Sequence, residues 1–178
     1  MVYMFLADGF EETEALAPLD ILRRGGVEVQ TVGVTGGYVT GAHGITVKAD
    51  ILPPIALKDN TEAVILPGGG VGTQNLDASV LVKEAVQSAY SSGKLICAIC
   101  AAPSVLGKMG LLRGKKATCY PGFEKYLDGA ELSEANVAES GNVITANGMG
   151  AALDFGFAVL ARLRGADKTE EVKRQIQY

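Results

Sequence analysis

The chain has 178 residues, 48% of them hydrophobic and 20% charged, which is the mix of a folded globular domain and excludes intrinsic disorder. Sixteen basic against twenty acidic side chains leave a net charge of −4, which argues against a general nucleic-acid-binding surface. Three cysteines are too few for a disulfide scaffold and one histidine too few for an ordinary metal centre, so reduced thiols and no metal are expected. Residues 1–7 are apolar for only a strand's length before Asp8, Glu11 and Glu12, and Pro and Gly break the longer apolar runs. Neither an export signal nor a membrane span is predicted, and the expected location is cytoplasmic.

Residues 2–6 read as a buried strand and residues 13–24 as a helix with Ala15, Leu19 and Leu22 on one face, stopped by Gly25-Gly26. Residues 27–34 form a second strand, and the glycine-punctuated stretch 38–48 a hairpin or pair of edge strands. A strand at 63–66 ends in Pro67-Gly68-Gly69-Gly70, followed by a helix at 79–90 capped by Asp77 or Ser79. The strand at 94–99 runs into Cys100 and a helix over 102–109. A short strand at 116–119, a hairpin of 137–140 with 143–146, and helices at 151–164 and 168–175 complete the chain. Alternating apolar strands and helices predict an α/β fold in one domain spanning residues 1–178, with a mostly parallel central sheet covered on both faces.

In such a sheet the crevice lies beyond the carboxyl ends of the strands. Three segments end there: Gly9-Phe10-Glu11-Glu12-Thr13-Glu14, the glycine triplet, and Ala98-Ile99-Cys100-Ala101-Ala102-Pro103. Cys100 sits where a strand gives way to a helix, the geometry of a nucleophile elbow, and the helix dipole there favours thiolate. The alternative is a small buried hydrophobe. Cys97, inside the strand, makes a thioredoxin-like use of Cys97-x-x-Cys100 a poor fit. Glu11 and Glu12 read as ordinary first-turn charges. Glu14 adjoins the core-facing Ala15, and Pro18, four residues on, cannot bond the Glu14 carbonyl, so a distorted turn and a carboxyl of raised pKa are predicted. The glycine triplet lacks the residues of a P-loop. It suits an oxyanion hole, with one N–H from Gly69 or Gly70 and another from Ala101, or else is a plain turn. His43, on the hairpin, is placed at the surface or a dimer contact, away from the crevice, so no cysteine–histidine pair is expected within one subunit.

Glu-Glu-Thr-Glu-Ala, Leu-Pro-Gly-Gly-Gly with Gln74-Asn75-Leu76, and Ala-Ile-Cys-Ala-Ala-Pro together resemble the ThiJ/PfpI superfamily in its DJ-one/YajL branch. Arg23-Arg24-Gly25-Gly26 and Asn147-Gly148-Met149-Gly150 extend the likeness over nearly the whole chain. The resemblance implies a flavodoxin-like three-layer α/β/α sandwich and a homodimer. It implies that Cys100 is the oxidation-sensitive nucleophile, Glu14 its protonated carboxyl partner, and Gly69 and Ala101 the backbone donors. It implies a cofactor-independent glyoxalase or protein deglycase acting on small α-oxoaldehydes or glycated substrates. The alternative is a redox sensor or chaperone of the oxidative stress response, in which Cys100 is oxidised; a peptidase fits least. Many members carry a histidine before the proline of Thr118-Cys119-Tyr120-Pro121, where this chain has Tyr120. With a pKa near 10, tyrosine is a poor base at neutral pH, so proton transfer falls to Glu14 or water. Cys119 is a candidate resolving thiol for oxidised Cys100.

Overall fold

Alternate residues of the buried strands feed two separate cores, one on each face of a single sheet. The computed structural model describes residues 1–53 and 57–178. Its first strand, β1 (Val2–Leu6), is buried at all five positions. Val2, Met4 and Leu6 point to one core, Tyr3 and Phe5 to the other, as the period of two requires. The same division holds in β5 (Ala63–Leu66) and β6 (Leu95–Ile99). A strand buried on both faces needs helices on both sides, and the intervening segments supply them.

Helix α1 (Glu12–Arg24) leads from β1 to β2 (Val29–Gly33). The hairpin β3 (Tyr38–Thr40) and β4 (Thr46–Lys48) forms its own two-stranded antiparallel sheet. Helices α2 (Gly70–Ala78) and α3 (Val80–Ser91) join β5 to β6, and the short α4 (Pro103–Lys108) follows β6. A two-residue ladder pairs β7 (Lys116–Ala117) with β8 (Glu131–Leu132). Strands β9 (Val137–Ser140) and β10 (Val143–Ala146), then helices α5 (Ala152–Arg164) and α6 (Ala166–Gln175), close the chain. The main sheet has the order β2-β1-β5-β6-β10-β9 and is parallel except for β9 against β10. Leu19 and Leu22 of α1 and Phe155, Val159 and Leu160 of α5 cover one face. Leu76, Val82, Val86, Val105 and Leu106, from α2, α3 and α4, cover the other.

The chain runs outward from β1 to β2 and then returns to the other side of β1 as β5. That reversal opens a crevice at the carboxyl ends of β1 and β5, beside the end of β6. The predicted sandwich is thus the observed one, with three differences. The segment after the glycine triplet, for which the sequence pattern names no element, is α2. Its only buried large apolar residue is Leu76, so it carries no helical periodicity to detect. The strand at 116–119 shrinks to two residues because its partner β8 is equally short. Helix α1 runs unbroken through Pro18, where a distorted turn was expected. There α5 presses close: a Cβ on Gly156 would lie 3.0 Å from the Pro18 Cα. Ser79, one of the two predicted caps of α3, accepts from the Val82 N–H, while Asp77 pairs with Lys83 and Lys108. Among the described residues, no helix is long and apolar enough to cross a membrane.

Candidate functional site

Cys100 has φ +64°, one of two non-glycine residues in the left-handed region among the described residues. That conformation is unfavourable for a side chain with a Cβ and persists only where the surroundings enforce it. Here they do: the Cys100 N–H donates to the Ala146 carbonyl at 2.8 Å, and its own carbonyl accepts from the Tyr120 N–H at 2.8 Å. The elbow predicted from sequence is therefore present, pinned between β10 and the segment after β7. Cys100 is partly exposed, whereas Cys97 and Cys119 are buried.

Glu14, in the first turn of α1, is fully buried. Its Oε2 accepts from the Gly68 N–H at 3.0 Å, and its Oε1 is buried without a partner. A Cβ on Gly68 would fall 2.4 Å from Glu14 Oε2 and 2.6 Å from Cys100 Cβ. Only glycine leaves room for the carboxyl and the cysteine to meet, and those two atoms lie within about 5 Å of each other. Burial pushes Glu14 up to about 7, against the lowering effects of the Cys100 thiol and the Gly68 N–H. Burial and the neighbouring Glu14 carboxylate push the Cys100 thiol up to about 12, while the Gly69 and Ala101 backbone donors favour its charged form. The helix dipole that favours thiolate is opposed here by desolvation beside an acid, and α4 is only six residues long, so sulfur and carboxyl act as one coupled pair in the protons they hold.

The backbone N–H groups of Gly69 and Ala101, the predicted oxyanion donors, favour the charged form of the Cys100 sulfur, and Gly69, Gly70 and Ala101 line the same cleft. Gly69 precedes α2 with φ +90°, and a Cβ there would strike the Gly9 carbonyl at 2.2 Å. The triplet is thus a strand-to-helix elbow beside Cys100, leading from β5 into α2, and the simple turn is set aside.

A cleft of about 650 Å³ opens over these groups and is also lined by Tyr120, Phe123, Asn147 and Met149. Tyr120 stands at it as the sequence suggested. Cys119, one residue away, is buried and lines an adjoining hollow with Thr118 and Leu132 that shares Pro121 and Asn147 with the cleft, and burial pushes its thiol up to about 11.

One sequence expectation is overturned on the opposite wall, and another is refined. His43 was placed away from the crevice, yet it lines the cleft together with Glu11 and Glu14. Glu12, read as an ordinary first-turn charge, does sit in that turn but is only 4% exposed. Its Oε1 accepts from the backbone N–H groups of His43 (2.7 Å) and Ile45 (3.3 Å), and its Oε2 lies 2.9 Å from His43 Nδ1. Burial alone would raise the Glu12 pKa, but these hydrogen bonds prevail and hold it at about 2. Contact with Glu12, and the charges of Glu11 and Glu12, raise His43 above its ordinary value. Among the described residues Glu11, Glu12 and His43 are the one grouping of metal-ligating type. Their ligand atoms are already committed to one another and to the backbone, so the grouping is a carboxylate–imidazole pair. The backbone bonds Gly9 N–H to Thr40 carbonyl and Ala42 N–H to Phe10 carbonyl dock the hairpin onto the β1–α1 loop. No local pattern around His43 announces that docking.

A doubly covered parallel sheet with a strained cysteine beyond a strand end, opposed by a buried carboxyl, defines a class of cysteine-elbow α/β proteins. Residues 1–162 match the DJ-1/PfpI family, and the chain belongs to that family. It is 36% identical to the protein dj-1beta of Drosophila melanogaster over 174 residues, covering 96% of this chain and 93% of that protein. A deglycase of Pyrococcus abyssi is 32% identical over 146 residues, covering 81% of this chain and 87% of its own. The structure of oxidized DJ-1 from Toxoplasma gondii superposes with a TM-score of 0.95 at 31% identity, covering 99% and 97% of the two chains.

Proposed function

We propose that the protein is a cysteine-dependent enzyme of the glyoxalase or deglycase kind, acting on α-oxoaldehydes or their adducts. The observation that carries this reading is the meeting of the strained Cys100 with the buried Glu14 at the floor of an open cleft. A carboxyl near 7 is matched to accept a proton at neutral pH. As the sulfur attacks the aldehyde carbon, its proton passes to the Glu14 carboxylate, and the new oxyanion faces the Gly69 and Ala101 N–H groups. Glu14 then protonates that oxygen, giving a hemithioacetal and leaving a carboxylate free to take the hydrogen from the same carbon. Return of that proton to the neighbouring carbon gives a 2-hydroxy thioester, which water cleaves to the hydroxy acid and free thiol. The deglycase name of the Pyrococcus abyssi relative supports this chemistry. Self-association as a homodimer belongs to the same proposal, and sedimentation reads it.

Lactate formation from methylglyoxal tests the reading: the wild type produces it, and Cys100→Ala abolishes it. Full turnover in Cys100→Ala, or none in the wild type, overturns it. A second reading, redox sensing, is favoured by one observation: Cys100 alone of the three thiols is partly exposed. It is supported by the oxidized state of the Toxoplasma gondii structure. Mild peroxide should then add oxygen at Cys100 before Cys97 or Cys119, read by peptide mass. Even oxidation of all three removes it.

A further inference from the structure

The Cys100 side of the cleft supplies a nucleophile, a carboxyl and two N–H donors, but only one group able to move protons. An α-oxoaldehyde presents two oxygens, and its isomerisation changes the protonation of both. The other titratable side chain lining that side is Tyr120, and tyrosine as a residue type is a poor general base at neutral pH. The facing wall holds His43, and three features there exceed what an exposed loop histidine needs.

Glu12 is a buried carboxylate spent almost entirely on the histidine's segment. One oxygen fixes the backbone at His43 and Ile45, and the other meets the ring at Nδ1. That contact assigns the tautomer: Nδ1 carries the hydrogen donated to Glu12, so Nε2 is the nitrogen left to exchange protons. The ring itself is 69% exposed and lines the cleft over Cys100, so the anchoring does not bury it. A buried carboxylate orienting an imidazole toward a nucleophile's pocket is the arrangement by which other hydrolytic sites prepare a general base. The titratable groups facing His43 are Glu11 and Glu12 on its own wall, with Glu11 Oε2 3.5 Å from Nδ1, and Glu14, Cys100 and Tyr120 around the cleft.

We infer that His43 is a second acid–base residue of this cleft and that Glu12 is its positioning residue, an inference that rests on the glyoxalase reading above. In the hemithioacetal, Glu14 takes the hydrogen from the carbon bonded to sulfur. The released electron pair forms the carbon–carbon double bond, and the second carbonyl oxygen takes the Nε2 proton of the His43 imidazolium, giving an enediol and a neutral ring that keeps its Nδ1 hydrogen. Glu14 then returns its proton to the second carbon, while the hydroxyl on the sulfur-bearing carbon gives its proton to His43. The thioester forms with both residues restored. His43 thereby takes the part that Tyr120 is chemically unsuited to.

The chain's single histidine makes the test clean. In wild type the one imidazole resonance titrates by NMR above the ordinary histidine value, and Glu12→Gln moves that titration down. His43→Gln lowers kcat/KM for methylglyoxal by about 10²-fold and removes one limb of its pH profile. His43→Ala regains activity with added imidazole. If wild type forms lactate and His43→Gln stays within about twofold of it, the inference fails and the proposed function stands. Loss of activity with an unchanged pH profile and no rescue by imidazole also overturns it, leaving His43 a loop anchor. If wild type forms no lactate, the proposed function fails and this inference with it.

Discussion

At the scale of single residues, Cys100 and Glu14 behave as one titrating unit, because each group's protonation acts on the other's. Above about pH 7 the pair holds one proton, and the reactive form is the arrangement in which that proton sits on the carboxyl. Its fraction no longer changes with pH until the pair loses its last proton. Alkylation of Cys100 by iodoacetamide should therefore rise with pH, inflect near 7 and level off. Glu14→Gln removes the proton acceptor and also the negative charge that holds the thiol up. Its alkylation should climb through pH 7 to 9 without a plateau, as for an ordinary thiol of lowered pKa. Peptide mass resolves this because Cys97 and Cys119 are buried. An inflection near 7 that survives in Glu14→Gln would remove the carboxyl from the unit.

At the scale of elements, the position of α1 decides the site, since one helix turn carries both Glu12 and Glu14. What seats α1 is α5. A Cβ on Gly156 would meet Ile21 Cδ1 at 2.9 Å and Pro18 Cα at 3.0 Å. The isoleucine tip can turn aside, but the proline backbone cannot. Gly156→Val gains a few tenths of a kcal/mol in helix propensity and loses about 1–3 kcal/mol to overpacking, so destabilisation wins. Denaturant midpoints should fall, and Cys100 alkylation should slow as Glu14 shifts; an unchanged midpoint would show that α5 does not set the place of α1. The strands and most helices were legible in the sequence because their apolar periods are long and stopped by Gly or Pro. Cys100 and Glu14 were legible because strand ends in a parallel sheet converge. Helix α2 was hidden by glycines that ordinarily signal loops. His43 was hidden for another reason: its place depends on the hairpin folding back across Phe10 and Gly9, a tertiary event with no local signature. Glu12 was indistinguishable from Glu11 for the same cause, because its partners lie about thirty residues on.

At the scale of the whole molecule, the buried carboxyl beside the nucleophile has a cost in stability whose pH dependence follows from linkage. An unfolded glutamate titrates near 4.3. Glu62, hydrogen-bonded chiefly by Arg164, and Glu12, held by His43 and its loop, are both depressed to about 2. A depressed carboxyl contributes stability above its unfolded value, and that contribution is lost as pH falls toward 2. Glu14 has the opposite sign. Raised to about 7, it stays protonated in the fold while the unfolded chain ionises, so stability falls as pH rises from about 4.3 to 7 and then levels. The Glu14 contribution amounts to up to about 4 kcal/mol at 1.36 kcal/mol per pKa unit. His43, also raised, adds to the same decline at higher pH. The denaturant midpoint should therefore peak near pH 5 and drop on both sides. Glu14→Gln keeps the shape of the side chain and carries no charge, so its midpoint should stay nearly flat from pH 5 to about 6.5 and above that show only the decline due to His43. At pH 8 it should exceed that of the wild type, although Cys100 has lost its proton acceptor. Equal slopes in the two proteins across that range would mean that Glu14 ionises freely in the fold, and that the stability given up at this site lies in some other group.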